Sequence, residues 1–324
     1  MIKVPEFYAL KMIVMKLIQM SLISSFMILS VIIIHKIGKK IPKKNMCILW
    51  ILVFLRMVCP WNVKSNVSIL PIYTQQVGNM LHKTEIPLLQ TGVHQLDTIY
   101  NRGMVQYNAI LKAMSHSTYK QRICIRLITY IWLIGTLAIL SYELFKFVSI
   151  KVRLSKAIQE EKKIYRSDLI HGAFLMGIFH PRIYISSGLE EKHRKYVLLH
   201  EQAHMKRRDH ILKFLAFLIT TMHWFNPLAW VAYRMLSNDI ELAVDEKICL
   251  PLEKSKRIEY ANTLFSLALV EHQQLPVASF ASNPIKARIK HVLSLQEQKK
   301  SYLLLVIGLA ILVSLCFGTC KVFP

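Results

Sequence analysis

Apolar positions in this chain gather into long runs separated by short basic links, instead of alternating with polar ones. The first run, Leu17–Ile34 (LIQMSLISSFMILSVIII), carries no charge and has the length a bilayer core requires. The second, Ile48–Cys59 (ILWILVFLRMVC), is shorter and contains Arg56, so it spans only with help from neighbours. The third, Leu127–Val148, is aliphatic with Glu143 and Lys146 near its end, and the fourth, Leu303–Phe317, is nearly pure hydrocarbon. A further run, Ile211–Tyr233 (ILKFLAFLITTMHWFNPLAWVAY), is apolar enough to pass for a span but contains Asn226-Pro227. Proline disfavours the helical conformation at the residue before it, so a helix boundary is expected at Asn226.

Between the greasy runs the pattern changes. Leu189–Arg208 holds good helix formers with no Pro or Gly, which predicts a helix. Arg182–Ser186 alternates and is β-branched and aromatic, which predicts a strand that Gly188 ends. A peptide could pair in extended form beside such a strand, although an ordinary core strand reads the same way.

Charge assigns sides to these elements. Of 324 residues 53% are apolar, and 42 basic against 19 acidic residues give a net charge of +23. The lysines form no single stripe interleaved with aromatics, so direct nucleic-acid binding is not expected. The link HKIGKKIPKK carries Lys36, Lys39, Lys40, Lys43 and Lys44 and no acid. Short basic loops stay in the cytoplasm, which places the N-terminus outside. Lys3, Lys11 and Lys16 oppose that placement, whereas Lys151, Arg153, Lys156, Lys162, Lys163 and Arg166 agree with it.

The resulting division is residues 1–60 for two spans and a basic cytoplasmic loop, 61–122 for an extracellular loop, and 123–150 for a third span. Residues 151–301 form a cytoplasmic domain, and 302–324 a fourth span with a short outer tail. The N-terminal run is too long for a cleavable signal and reads as a retained anchor. The outer loop holds no recognisable pocket motif. None of the six cysteines sits in a CxxC pair, so they read as structural thiols.

The chemistry concentrates in LLHEQAHMKRRDH, Leu198–His210. On a helix, residues four apart share a face, so His200 and His204 are spaced to hold one zinc ion. Glu201 is placed to reach a water on that ion, as in the HExxH pattern of metalloproteases. The bland alternative is a surface helix with two histidines. A catalytic site needs a third protein ligand, and NDIELAVDEKIC (Asn238–Cys249) supplies Glu241. Asp245, one turn later, is suited to accept a hydrogen bond from a ligand histidine.

Both histidines and Glu241 can meet only on one side of the membrane. Ile211–Tyr233 is therefore expected to be a buried or re-entrant hairpin and not a crossing. His210, His223 and Tyr233 are candidates for an oxyanion donor, and the sequence does not choose among them.

The segments GIFHPRIYI, HEQAHMKRRD, HWFNPLAW and ELAVDE, in this order, resemble the BlaR/MecR family of bacterial membrane metallopeptidases, the antirepressors of beta-lactam resistance. The resemblance covers nearly the whole chain. It implies a multi-span α-helical membrane protein with an α+β gluzincin-like zinc metallopeptidase domain facing the cytoplasm of a bacterial cell. It implies His200, His204 and Glu241 as zinc ligands, Glu201 as catalytic base and Asp245 as their supporting acid. AVD stands where the family commonly has ACD.

Sensor members continue past the last span into a penicillin-binding domain. This sequence stops at Pro324 and so resembles the shorter members that lack it. The implied substrate is a cytoplasmic helix-turn-helix repressor, the chain itself, or both, with a separate sensor protein and a homodimer as possible partners.

Two other readings compete, an intramembrane protease and a non-catalytic membrane receptor or scaffold with a structural zinc. Against the first, HRK precedes the motif and KRRD follows it, and each charge at the bilayer centre costs ~2.5–3.5 kcal/mol. Against the second, structural zinc prefers four protein ligands and cysteine, and no cysteine neighbours these histidines.

Overall fold

The computed structural model describes residues 4–38, 41–59, 63–64, 70–71, 97, 101–102, 119–170, 172–272, 284–295 and 319–321. The expected fourth span and most of the expected outer loop lie outside these residues.

Three helices follow the apolar runs: α1 (Val4–Ile37), α2 (Lys43–Val58) and α3 (Tyr119–Arg153). Among the described residues two stretches are long and apolar enough to cross a membrane, Ile13–Ile37 in α1 and Ile123–Lys156 through α3 and the turn after it. The 16 residues of α2 reach only about 24 Å, less than a hydrocarbon core of ~30 Å. This helix is wrapped instead. Met46, Leu49, Trp50, Val53, Phe54 and Met57 are buried, and Arg56 is buried with a bond from Nη1 to the Cys59 carbonyl.

The ambiguous apolar run folds as a hairpin. Helix α4 (Glu191–Arg207) ends at Arg208, whose backbone is left-handed at φ 59°, and α5 (Asp209–Met222) follows at once. The chain reverses over His223–Asn226, and α6 (Pro227–Cys249) runs back. Asn226 caps α6 by accepting from the Leu228 N–H at 2.9 Å, and Pro227 occupies the first turn, where its missing N–H costs nothing.

The tip of this hairpin is anchored among the long helices. The Asn226 side-chain amide donates to Ser21 Oγ at 2.8 Å and to Ser25 Oγ at 2.9 Å, near the middle of the apolar stretch of α1. Trp132 of α3 donates to the Met222 carbonyl, and Trp224 donates to the Trp132 carbonyl. The run therefore leaves and returns at the same end of the helices. On α6 the stripe Ala229, Ala232, Leu236, Ile240 and Ala243 packs with α1 and α2, and its small residues let the backbones approach.

After α3, a short 3-10 turn leads into four strands: β3 (Ile158–Glu161), β4 (Ile164–Ser167), β5 (Ala173–Met176) and β6 (Arg182–Ser186). Their order is β3-β4-β6-β5, with β4 and β6 parallel and the outer pairings antiparallel, so β5 is an edge. Alternation along β6 sends Ile183 and Ile185 to one face, where Leu198 and Met205 of α4 pack. It sends Tyr184 to the other face, against Leu154 and Ile170.

Two helices complete the described fold, α7 (Lys254–His272) and α8 (Pro284–Leu293). Separately, β1 (Val63–Lys64) and β2 (Leu70–Pro71) each pair in parallel with β7 (Thr319–Lys321). Cys47, Cys59, Cys124 and Cys249 are free thiols.

The hairpin tip meets α3 where α3 has no side chain. A Cβ added at Gly135 would lie 2.6 Å from the Trp224 ring. Gly135→Ala is expected to cost ~1–3 kcal/mol by overpacking. Trp224→Leu in the same chain should recover part of that loss, as read by thermal unfolding in detergent.

Candidate metal centre

The three side chains singled out by spacing are brought together. His200 and His204 follow one another by a turn on α4, and both are buried. Glu241 comes from α6, across the hairpin. The two Nε2 atoms lie 3.0 Å apart, His200 Nε2 is 3.3 Å from Glu241 Oε2, and His204 Nε2 is 3.5 Å from Glu241 Oε1. A tetrahedral ion with bonds of about 2.0–2.1 Å needs donor atoms about 3.4 Å apart, which is close to the observed triangle. These three residues form a cluster able to hold a metal ion.

The far nitrogens of both rings are committed elsewhere. Tyr260 donates its hydroxyl hydrogen to Asp245 Oδ1 at 2.6 Å, so its oxygen is left to accept from His200 Nδ1 at 2.9 Å. His204 Nδ1 faces Asp209 Oδ2 at 2.8 Å. Each ring is thereby held from behind at Nδ1 with Nε2 turned inward, the atom a metal ligand would offer. Arg207 steadies Asp209 through a bond of 3.2 Å.

The centre is strongly attractive to positive charge. Burial alone would lower the proton affinity of the His204 imidazole, but its bonds to Asp209 and Glu241 push its pKa up to about 9. Burial would raise the Glu241 carboxyl. The bonds with His200 and His204 and the charge of Lys213 outweigh burial and hold it well below the usual carboxylate range. Lys213 Nζ donates to Glu241 Oε1 at 2.7 Å. Arg288 of α8 clamps Asp245 through Nε and Nη2, each at 2.8 Å, and its Nη1 lies 3.3 Å from Glu241 Oε2.

Glu201, beside His200, is outside the triangle. Burial pushes its carboxyl above the usual range, against the pull of His200 and His204.

The amino-acid sequence matches the pattern of the BlaR1 peptidase M56 family over residues 15–292, from α1 through α8. The chain belongs to the M56 peptidase family. It is 27% identical over 139 residues to the regulatory protein BlaR1 of Bacillus licheniformis, covering 40% of this chain and 23% of that protein. It is 24% identical over 196 residues to the methicillin resistance mecR1 protein of Staphylococcus aureus strain Mu50, covering 51% of this chain and 33% of that one. A second BlaR1, from Staphylococcus aureus, is 29% identical over 133 residues, with coverages of 39% and 22%. The matched regions thus span about a quarter to a third of these relatives.

Within the M56 match, the supporting residues differ from what spacing alone suggests. Asp245 reaches His200 through the Tyr260 hydroxyl, its own oxygen being 3.6 Å from Nδ1. Asp209, Tyr260, Lys213 and Arg288 are absent from the sequence reading. Asp209 closes the KRRD run five residues after His204 and was within reach of a local argument; Tyr260 and Arg288 arrive on later helices and leave no local signal.

The three oxyanion candidates are placed as follows. His210 Nε2 is 3.3 Å from the Ile178 carbonyl. His223 sits at the buried hairpin tip, and Tyr233 stacks edge-on with Phe217. Tyr233 lies about 12 Å along α6 from Glu241 and His223 about 15 Å along α5 from Lys213, which separates both from the centre.

Tyr260→Phe and Asp209→Leu each remove one anchor of a histidine ring. Each is expected to weaken metal binding by about 10–100-fold with little change in helix content. Competition against a chromogenic chelator measures the first, and circular dichroism the second.

Proposed function

We propose that this M56 chain is a membrane-anchored zinc endopeptidase of the gluzincin type. In this reading His200, His204 and Glu241 hold the metal, and Glu201 is the catalytic base. The observation that carries the proposal is the triangle of three donors with each ring held from behind at Nδ1.

Zinc bound there would supply a Lewis acid for the scissile carbonyl and acidify the attacking water. Glu201 accepts the water's proton at its carboxylate and delivers it to the leaving amine nitrogen. Its raised proton affinity suits a group that must hold that proton between the two transfers. Arg288 and Lys213 hold the Glu241 carboxylate in place, and Asp245 and Asp209 hold the rings. The edge strand β5 packs beside α4 and offers an open row of backbone donors and acceptors to an extended peptide.

The proposed setting is multi-pass, with the peptidase part facing the cytoplasm. The basic α1–α2 turn bonds to α6 through His35 and Lys43, two residues from Glu241 at the nearest point. Turn and site therefore share a side, and short basic loops stay inside. The contact also supports a site level with the end of α1, against placement in the bilayer centre. Three donors, with no fourth among the described residues, favour a catalytic over a structural zinc.

The proposed substrate is a cytoplasmic repressor of the helix-turn-helix kind, the chain itself, or both. The names of the relatives, a regulatory protein and a methicillin resistance protein, support a regulatory target.

Glu201→Gln is expected to slow cleavage by about 10²–10⁴-fold while zinc content stays unchanged. Immunoblots of a co-expressed winged-helix repressor and of the chain itself read the cleavage. Cleavage at the parent rate in that variant would remove Glu201 from the chemistry.

A further inference from the structure

The third side chain of the centre stands on a helix shared by two parts of the molecule. Successive helical residues are rotated by about 100°. On α6 this places Ala232, Leu236, Asp239, Ala243 and Glu246 on one face and Glu241, Asp245 and Ile248 on the opposite one. The first face packs on α1 and α2, and Val244, Ile248 and Cys249 pack with Tyr196 of α4 and Tyr260 of α7.

Two carboxylates lie on the membrane-helix face, and Asp239 is only 1% exposed. A carboxylate removed from water must be compensated by charge and hydrogen bonds. Here the compensation comes from α1 and α2. His35 Nε2 is 2.9 Å from Oδ1, Trp50 Nε1 donates to Oδ2 at 2.9 Å, and Lys43 Nζ is 3.6 Å from Oδ1. Two helical turns along, the Lys43 backbone N–H donates to Glu246 Oε2 at 2.9 Å. The other oxygen of Glu246 meets His291 Nε2 of α8 at 3.0 Å, on the helix that carries Arg288. The α1–α2 turn thus grips α6 above and below the level of Glu241 and Asp245.

We propose that Asp239 and Glu246 are positioning residues for Glu241, held in register by His35, Lys43 and Trp50. The inference rests on the reading of Glu241 as third metal ligand. Apolar packing holds α6 against α2 but tolerates small rotations, because it is not directional. Hydrogen bonds to buried carboxylates do not tolerate them. A rotation of about 20° moves a carboxylate about 5–6 Å from the helix axis by about 2 Å, an order of magnitude beyond the ~0.2 Å within which metal–ligand distances fall. The α1–α2 pair accordingly has a direct mechanical route to the centre.

The full chain in lipid nanodiscs, stripped of metal, is titrated with Zn²⁺ for affinity and with Co²⁺ for its visible spectrum, which reports coordination. Trp50→Phe keeps the aromatic ring and removes the donor to Asp239. It should weaken Zn²⁺ binding about tenfold, the lower end for outer partners of a metal site, and alter the Co²⁺ band. Val53→Ala, in the same packed face but away from Asp239, should lower the melting temperature and leave the Co²⁺ band unchanged. His35→Gln, at a side chain 24% exposed, carries the same expectation and decides the matter should Trp50→Phe not fold.

Affinity within twofold of the parent and an unchanged Co²⁺ spectrum for the folded variants would overturn the proposal. Glu241→Gln is the separate control. If that substitution leaves affinity and spectrum untouched, the ligand assignment itself fails; if it abolishes tight binding while Trp50→Phe and His35→Gln do not, only the positioning role fails.

Discussion

Two imidazole nitrogens and a carboxylate are gathered within 3.0–3.5 Å of one another, and the fold is organised around holding them there. Each group is locked from behind. Asp209 holds one ring, the Tyr260–Asp245 pair holds the other, and Lys213 with Arg288 holds the acid. Charges buried this way are costly unless every partner is present, so the five supporting residues and the three donors act as a unit.

The second constraint is topological. Two donors lie on α4 and the third on α6, and the intervening segment is as greasy as a membrane span. Only a segment that turns back can return the third donor to the first two. Asn226 and Pro227 provide the turn, and Ser21 and Ser25 provide hydrogen bonds for the Asn226 amide at a depth where water is scarce. The hairpin is therefore a structural requirement of the centre as much as a partner of the long apolar helices.

What was legible in the sequence follows the range of the forces involved. The HExxH spacing, the Asn-Pro break, the strand Arg182–Ser186 and the ends of α4 are local patterns. The structure places the strand at those bounds and the helix within two residues of the expected ones. The same-side argument for Glu241 needed only chemistry and connectivity. Illegible were the partners supplied from far away, Tyr260 and Arg288, because a long-range side-chain contact leaves no periodicity in the chain. The direct bond expected from Asp245 to a histidine failed for the same reason, a hydroxyl from α7 having come between them. The doubled role of α6 was hidden too. Its acids read in one dimension as one polar face, whereas Asp239 and Glu246 lie opposite Glu241 and Asp245.

That doubled role has a practical bearing on how the enzyme-like half can be handled. A shortened chain beginning after α3 would keep every residue of the triangle yet strip Leu236, Ile240 and Ala243 of their neighbours. It would also leave Asp239 without His35 and Trp50. Such a fragment would be sticky and its binding site slack, and poor turnover from it would say little about the intact molecule.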